Sequence, residues 1–273
     1  VGTHLIGIYK EGVGVNPRNK FVLIGVFLIV GVLGFGSIIL AFDFSHWDLL
    51  LKKYVASKTI QGIPLQAVNY QGLEKDPLYK TLLADLKKAP LALVKTQEEQ
   101  VAFWINAYNI MAVKMVLDHY PVKSIKDAGG LFSSVWKLQA GTVGGKERTL
   151  NEIEHDILRK MGEPRIHVAI VCASLSCPDL RTEAYTPEKL NEQLDDQMKL
   201  FLANEGKGLQ VDESHQRLYL SSIFKWFSED FDAKGGVRPF LARYVQEGLV
   251  RYLKNDEFTV SYLAYNWYLN EYK

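Results

Sequence analysis

His167, Cys172 and Cys177 fall at five-residue intervals along one stretch, and its first part, residues 166–172 (IHVAIVC), is a nearly continuous apolar run. Three readings of this string are open. Structural zinc favours four ligands with closer cysteine pairs, so the H-x4-C-x4-C spacing names no metal. A thiol nucleophile needs a cysteine at a strand end, a nearby histidine to take its proton and a third group to orient that histidine. Cys177 or Cys172 supplies the thiol, and the loop at 173–178 is where it would act. The structural alternative is a short Cys172–Cys177 disulfide or two packed thiols.

A second set of candidates lies just upstream. Thr149-x-x-Glu152 is a capping box, and it opens a helix over 149–161 with Leu150, Ile153, Ile157 and Met161 on one stripe. Glu154 shares that stripe. A carboxylate withdrawn from water is costly unless it is paired. Glu154 is therefore either half of an ion pair with Arg159, Arg165 or Arg181, or an acid belonging to a site. His155, at the edge of the stripe, joins His167 as a candidate base; the plainer role for it is a satisfied boundary histidine.

The element that must position these groups is the helix at 98–119, which ends before Pro121. Its face is marked as exposed only by Ala107, Lys114 and Asp118, and Asn106 and Asn109 fall on the far side. Two carboxamides are thus expected in the core, bonded either to loop backbone or to a catalytic imidazole or substrate.

Around that helix the periodicity predicts helices at 47–57 and 77–88 with loop between them at 62–72, and a hairpin turning at 141–145. It predicts a buried mid-sheet strand over 166–172 and a helix opened by Thr186 and Pro187. That helix carries Leu190, Leu194, Met198, Phe201 and Leu202 on its core face. A second hairpin pairs 209–211 with 217–220; helices at 222–231 and 239–247 lead to a late strand at 258–262. The fold class read from this order is α+β: a helix-rich single domain around a modest, mainly antiparallel sheet.

Residues 21–42 contain no polar side chain except Ser37 and would span roughly 33 Å as a helix, the thickness of a bilayer. They are too long for a cleavable signal core and run into Phe42-Asp43-Phe44 rather than a small-residue cleavage site. The segment reads as a signal anchor. Arg18 and Lys20 before it, against Asp43 and Asp48 after it, favour a cytoplasmic N-terminus and an extracytoplasmic globular part. The organisation expected is a short N-terminal segment at 1–20, a transmembrane helix at 21–42, a helical wrapping segment at 43–97 and a core domain at 98–273.

Net charge is +1 with both signs interspersed, so nucleic acid is excluded as a partner. No phosphate-cradling glycine loop, nucleotide fingerprint or serine elbow occurs. No cofactor is called for.

Five strings in order resemble the family named domain of unknown function 547: 103–109 (FWINAYN), 150–159 (LNEIEHDILR), 167–178 (HVAIVCASLSCP), 220–227 (LSSIFKWF) with Asp230-Phe231, and 265–270 (YNWYLN). The likeness runs over about 98–270. It departs at Asn266, where the family has an aspartate, so no carboxylate role carries over to that position. The resemblance implies an extracytoplasmic, often membrane-associated protein and names no reaction. Papain-like and transglutaminase-like enzymes place a thiol at the N-terminus of a central helix; the helix at 98–119 has none, Asn106 being its nearest polar candidate.

The function expected is a membrane-anchored cell-envelope protein that acts as a thiol-dependent hydrolase or acyl transferase on peptide-like substrates. Cys177 or Cys172 is its thiol, His155 or His167 its base, and Glu154, Asn106 or Asn109 the orienting groups. The alternative is a non-catalytic envelope domain that binds a peptide or protein partner.

Overall fold

The structure, a computed structural model, describes residues 42–129 and 134–273. Helix α1 (Ser45–Tyr54) buries Trp47, Leu50 and Leu51 and leads straight into β1 (Val55–Ile60) and β2 (Ile63–Val68). Much of the stretch expected as loop is therefore an antiparallel hairpin. Its two turn residues, Gln61 and Gly62, both take positive φ (52° and 80°), the geometry that matches strand twist in a two-residue turn. Asn69 then caps α2 (Tyr70–Lys75), and Asp76 caps α3 (Pro77–Lys87), whose first turn holds Pro77.

Helix α4 (Gln97–Asp118) is the centre of the larger apolar core. Thr96 and Glu99 close a reciprocal capping box, and every residue from 101 to 113 is buried. Ala107, expected on an exposed arc, is fully buried as well, because α2, β3 (Gln139–Val143) and the segment that follows β4 (Lys146–Thr149) all pack on α4. The β3–β4 hairpin forms as expected, turning at Gly144 and Gly145.

Beyond Thr149 the chain is helical but not regularly so. It widens into a π-helical segment, Glu152–Leu158. The wider turn changes the stripe: Leu150, Ile153 and Leu158 are buried, whereas Ile157 and Met161 are only half-buried.

Residues 166–172 are not a strand. Pro164–Val168 is a 3-10 turn, and the backbone beyond it is irregular yet buried. Asn109 makes that possible. Its Nδ2 donates to Ala169 O (3.0 Å) and its Oδ1 accepts from Val171 N (2.9 Å), so one side chain satisfies backbone groups that a sheet would otherwise have to pair. The next residues pair with the C-terminal segment instead, with bonds from Leu175 N to Tyr268 O, Ser176 N to Asn266 O and Asn270 N to Ala173 O.

Helix α5 (Leu190–Ala203) buries the five residues expected of its core face. Strands β5 (Leu209–Asp212) and β6 (Arg217–Leu220) form the second hairpin. The helical region expected next is divided into α6 (Ile223–Trp226), a 3-10 segment, α7 (Val237–Leu241) and α8 (Glu247–Lys254). Strand β7 (Thr259–Tyr262) then adds to β6 in parallel. The described chain is thus α+β and helix-rich, with small, mainly antiparallel sheets and two apolar cores, one around α4 and one between α5 and the β5–β6–β7 sheet.

Among the described residues no helix is long and apolar enough to cross a membrane. The apolar stretch at 21–42 lies outside them except for Phe42, whose ring packs on Phe44 and Phe103 at centroid distances of 4.6 and 5.8 Å.

Candidate functional site

A cavity of about 370 Å³ takes its walls from both cores and gathers Glu154, His155, His167, Cys172 and Cys177. A larger cleft, about 950 Å³, lies between the first hairpin and α5, but of its cations Arg181 is bonded to Asp196 and Glu183 and Lys52 to Asp48, and it holds no thiol. Both thiols and the buried carboxyl of Glu154 are in the smaller one.

Asn106 and Asn109 are buried as expected, and both carboxamides are spent on backbone. Asn106 donates to Tyr185 O (2.8 Å) and accepts from Tyr185 N (3.0 Å), the same two-ended clamp that Asn109 makes on Ala169 and Val171. Neither orients an imidazole.

The cysteines are not bonded to each other. Cys172 is half-buried on the cavity wall, and Cys177 is buried behind it, its Sγ accepting the Cys172 N–H at 2.8 Å. Cys172 Sγ lies 3.2 Å from the Tyr265 hydroxyl and 3.4 Å from Ser174 Oγ. The strongest influence on this thiol is its hydrogen bond with Cys177; with Ser174 and Tyr265 added, burial is outweighed and the pKa falls to about 7. Burial drives Cys177 the other way, well above the usual thiol value. Only Cys172 is therefore poised to be a thiolate at neutral pH.

Among the described residues no cation pairs with Glu154. Arg159 pairs with Asp230, Arg165 with Glu163 and Asp195, and Arg181 with Glu183 and Asp196, so the ion pair expected for Glu154 is replaced by one hydrogen bond from the Tyr108 hydroxyl at 3.3 Å. Burial raises its pKa to about 7, helped by the nearby Cys172. Glu152, assigned to the capping box, donates its backbone N–H to Thr149 Oγ1 (3.0 Å), while its carboxylate accepts from Lys146 and Arg148.

The histidines belong to one chain of bonds. Asp230 accepts from Arg159 at Nε (2.7 Å) and Nη2 (2.8 Å) and from His167 Nε2 (2.6 Å), and Arg159 Nη1 reaches His155 Nδ1 at 2.9 Å. Burial opposes ionisation of Asp230, yet the bonds from His167 and Arg159 hold its carboxyl well below the usual range. Burial, aided for His155 by the Arg159 cation, lowers both imidazoles, so they are neutral at pH 7. His167 stacks on Phe227 with centroids 4.0 Å apart.

Aromatic rings make the rest of the wall: Trp226 stacks on Trp267 (5.9 Å), and Tyr265 touches both. Under the loop carrying Cys177, the buried Lys207 donates to Cys177 O (3.0 Å) and Asp179 Oδ1 (2.5 Å). Asn266 plays no part in the cavity; its amide bonds Gln61. Among the described residues no group of three or more His, Cys, Asp or Glu is arranged to hold a metal ion.

Sequence reasoning found the five titratable groups and missed Tyr108, Asp230, Tyr265 and Lys207. Tyr108, Asp230 and Tyr265 do stand in the strings that carry the family likeness, which was the signal available. Residues 93–202 match the family model for the protein of unknown function DUF547. The DUF547 match covers less than half of the chain, from the approach to α4 through most of α5. It includes Glu154, His155, His167 and both cysteines, whereas Trp226, Asp230 and Tyr265 lie beyond it. No curated protein and no solved structure gives a significant match to the chain.

Proposed function

We propose that this chain is a thiol-dependent hydrolase or acyl transferase of peptide-like substrates, held at the cell envelope by the segment at 21–42, with the N-terminus cytoplasmic and the globular part outside. One observation carries the reading: a thiol and a carboxyl, Cys172 and Glu154, line one cavity and both titrate near pH 7. Groups matched in this way exchange a proton at little cost, which is the condition for general acid–base work.

In the reaction, the Cys172 proton passes to the Glu154 carboxylate and the thiolate attacks the acyl carbon. The C–S bond forms, the bond to the leaving group breaks, and Glu154 returns its proton to that group. Water, or a second nucleophile in the transferase case, then gives a proton to Glu154 and attacks the thioester, releasing the acyl product and the Cys172 thiol. Tyr265 and Ser174 steady the sulfur anion; burial raises the Tyr265 phenol well above its usual pKa, which keeps it a donor.

The test is turnover of an activated acyl ester by the full chain. Cys172→Ser should abolish it and Glu154→Gln should lower it by about 100-fold; an unaltered rate in Cys172→Ser rejects the thiol mechanism.

The second reading is a non-catalytic domain that binds a peptide in the same cavity. The aromatic wall favours it, since Trp226 is 46 % exposed beside Tyr265 and Trp267. On that reading Trp226→Ala loses binding and Cys172→Ser does not. The membrane assignment is tested separately: the full chain should resist carbonate extraction from membranes, and release by carbonate rejects the anchor.

A further inference from the structure

Cys172 and Cys177 are both free, and the fold holds them as a pair. The Cys177 sulfur accepts the Cys172 N–H at 2.8 Å, the two thiols are hydrogen-bonded to each other, and the Tyr265 hydroxyl reaches both. With a sulfur that close to the Cys172 nitrogen, the two Cα atoms stand no more than about 7 Å apart, the limit that a disulfide can bridge. The loop between them is fixed from outside: Leu175 N bonds Tyr268 O (2.8 Å), Ser176 N bonds Asn266 O (3.2 Å) and Asn270 N bonds Ala173 O (3.1 Å). Lys207 holds the Cys177 carbonyl at 3.0 Å. The chain is thus ordered before any bond forms, and closing a ring over 172–177 costs little further entropy. The two sulfurs differ in access: Cys172 is half-buried on the cavity wall, whereas Cys177 is only 3 % exposed.

Attack on an oxidant is made by a thiolate, and Cys172 is the sulfur poised to be one, while Cys177 keeps its proton. An accessible thiolate beside a second thiol is the arrangement in which a sulfenic acid forms and is resolved to a disulfide. We propose that the cavity also reduces peroxides, with Cys172 taking the oxygen and Cys177 closing a Cys172–Cys177 disulfide. In the first step Cys172 Sγ attacks one peroxide oxygen. The S–O bond forms, the O–O bond breaks, and the leaving hydroxide takes the proton that Cys172 gave up, so the products are a sulfenic acid and water. Tyr265 and Ser174, whose hydroxyls lie 3.2 and 3.4 Å from that sulfur, are in place to bond the new S–OH group. In the second step Cys177 Sγ attacks the sulfenic sulfur; the S–S bond forms, the S–O bond breaks, and hydroxide leaves with the Cys177 proton as a second water. Two thiols are oxidised and one peroxide is reduced. A dithiol reductant restores the pair by thiol–disulfide exchange and is itself oxidised. Hydrogen peroxide, little larger than water, is the oxidant that a half-buried sulfur admits most readily. This chemistry goes beyond the acyl-transfer reading and does not need it; where both hold, oxidation also takes away the acyl nucleophile.

The experiment treats the reduced full chain with hydrogen peroxide at pH 7 in the presence of dimedone, which traps sulfenic acids, and reads peroxide consumed, thiols lost and peptide masses. The wild type should lose both thiols for each peroxide consumed, yield a Cys172–Cys177 disulfide free of dimedone, and recover both thiols with dithiothreitol; this arm needs no variant to fold. Cys177→Ser should stop at the sulfenic acid and carry dimedone on Cys172, and Cys172→Ser should lose peroxide consumption entirely. Dimedone on Cys177, oxidation of Cys172 to a sulfinic acid with no disulfide, or a disulfide formed by glutathione disulfide but not by peroxide overturns the proposal. Ester turnover followed in the same samples separates the two readings. A disulfide in a chain that shows no turnover when reduced rejects acyl transfer alone, and turnover that peroxide leaves intact rejects the peroxide chemistry alone.

Discussion

Tyr108 donates its hydroxyl to Glu154 at 3.3 Å, and among the described residues no cation reaches that carboxyl. Glu154 is thereby kept in an environment that favours its neutral form, with a donor that still tolerates the charge. The consequences for stability, reactivity and backbone order can be measured separately.

Glu154 should make stability fall with rising pH. Its folded pKa, about 7, stands above the unfolded value of 4.5, so the native state binds the proton more tightly. Below pH 4.5 both states are protonated and the group contributes no difference. Between 4.5 and 7 stability declines, and above 7 the buried charge costs on the order of 3 kcal/mol. Glu154→Gln should remove this slope, so urea denaturation at pH 5 and pH 8 should show the variant gaining on the wild type only at the higher pH.

Cys172 and Cys177 should alkylate unequally. Iodoacetamide should label Cys172 with a midpoint near pH 7 and leave Cys177 untouched in the folded chain. Cys177→Ala removes the largest influence on Cys172 and should shift the midpoint up toward the ordinary thiol value. Peptide mass spectrometry across a pH series reads both effects.

Asn109→Ala should destabilise the fold by about 3 kcal/mol, because it strands the Ala169 carbonyl and the Val171 amide in the interior and opens a void. Asn109→Asp should cost more. It keeps the acceptor for Val171 but loses the donor for Ala169 and brings a charge into the core. Chemical denaturation measures the order of the two variants.

Lys207→Met should cost about 3 kcal/mol by leaving Asp179 and the Cys177 carbonyl without their cation. The loop at 177–179 should loosen with it. Labelling of Cys177 by iodoacetamide, absent in the wild type, should then appear.

The sequence by itself determined the features that depend on near neighbours along the chain. Helix α4 and its stop before Pro121, the burial of Asn106 and Asn109, the core face of α5 and two of the hairpins follow from periods and turn residues, since residues three or four apart on a helix share a face. So did the anomaly at Glu154, since a carboxylate on an apolar stripe is visible without coordinates. Tertiary structure decided everything that joins distant segments. Residues 166–172 carry a strand's apolar run, yet Asn109, 60 positions away from Ala169, satisfies their backbone and releases them from any sheet. Asp230 sets the His167 tautomer from 63 positions off, and Tyr265 reaches the Cys172 sulfur from 93. Hydrophobic spacing records which side chains leave water; it carries no record of which partner each polar group meets once there, and that pairing makes the cavity chemical.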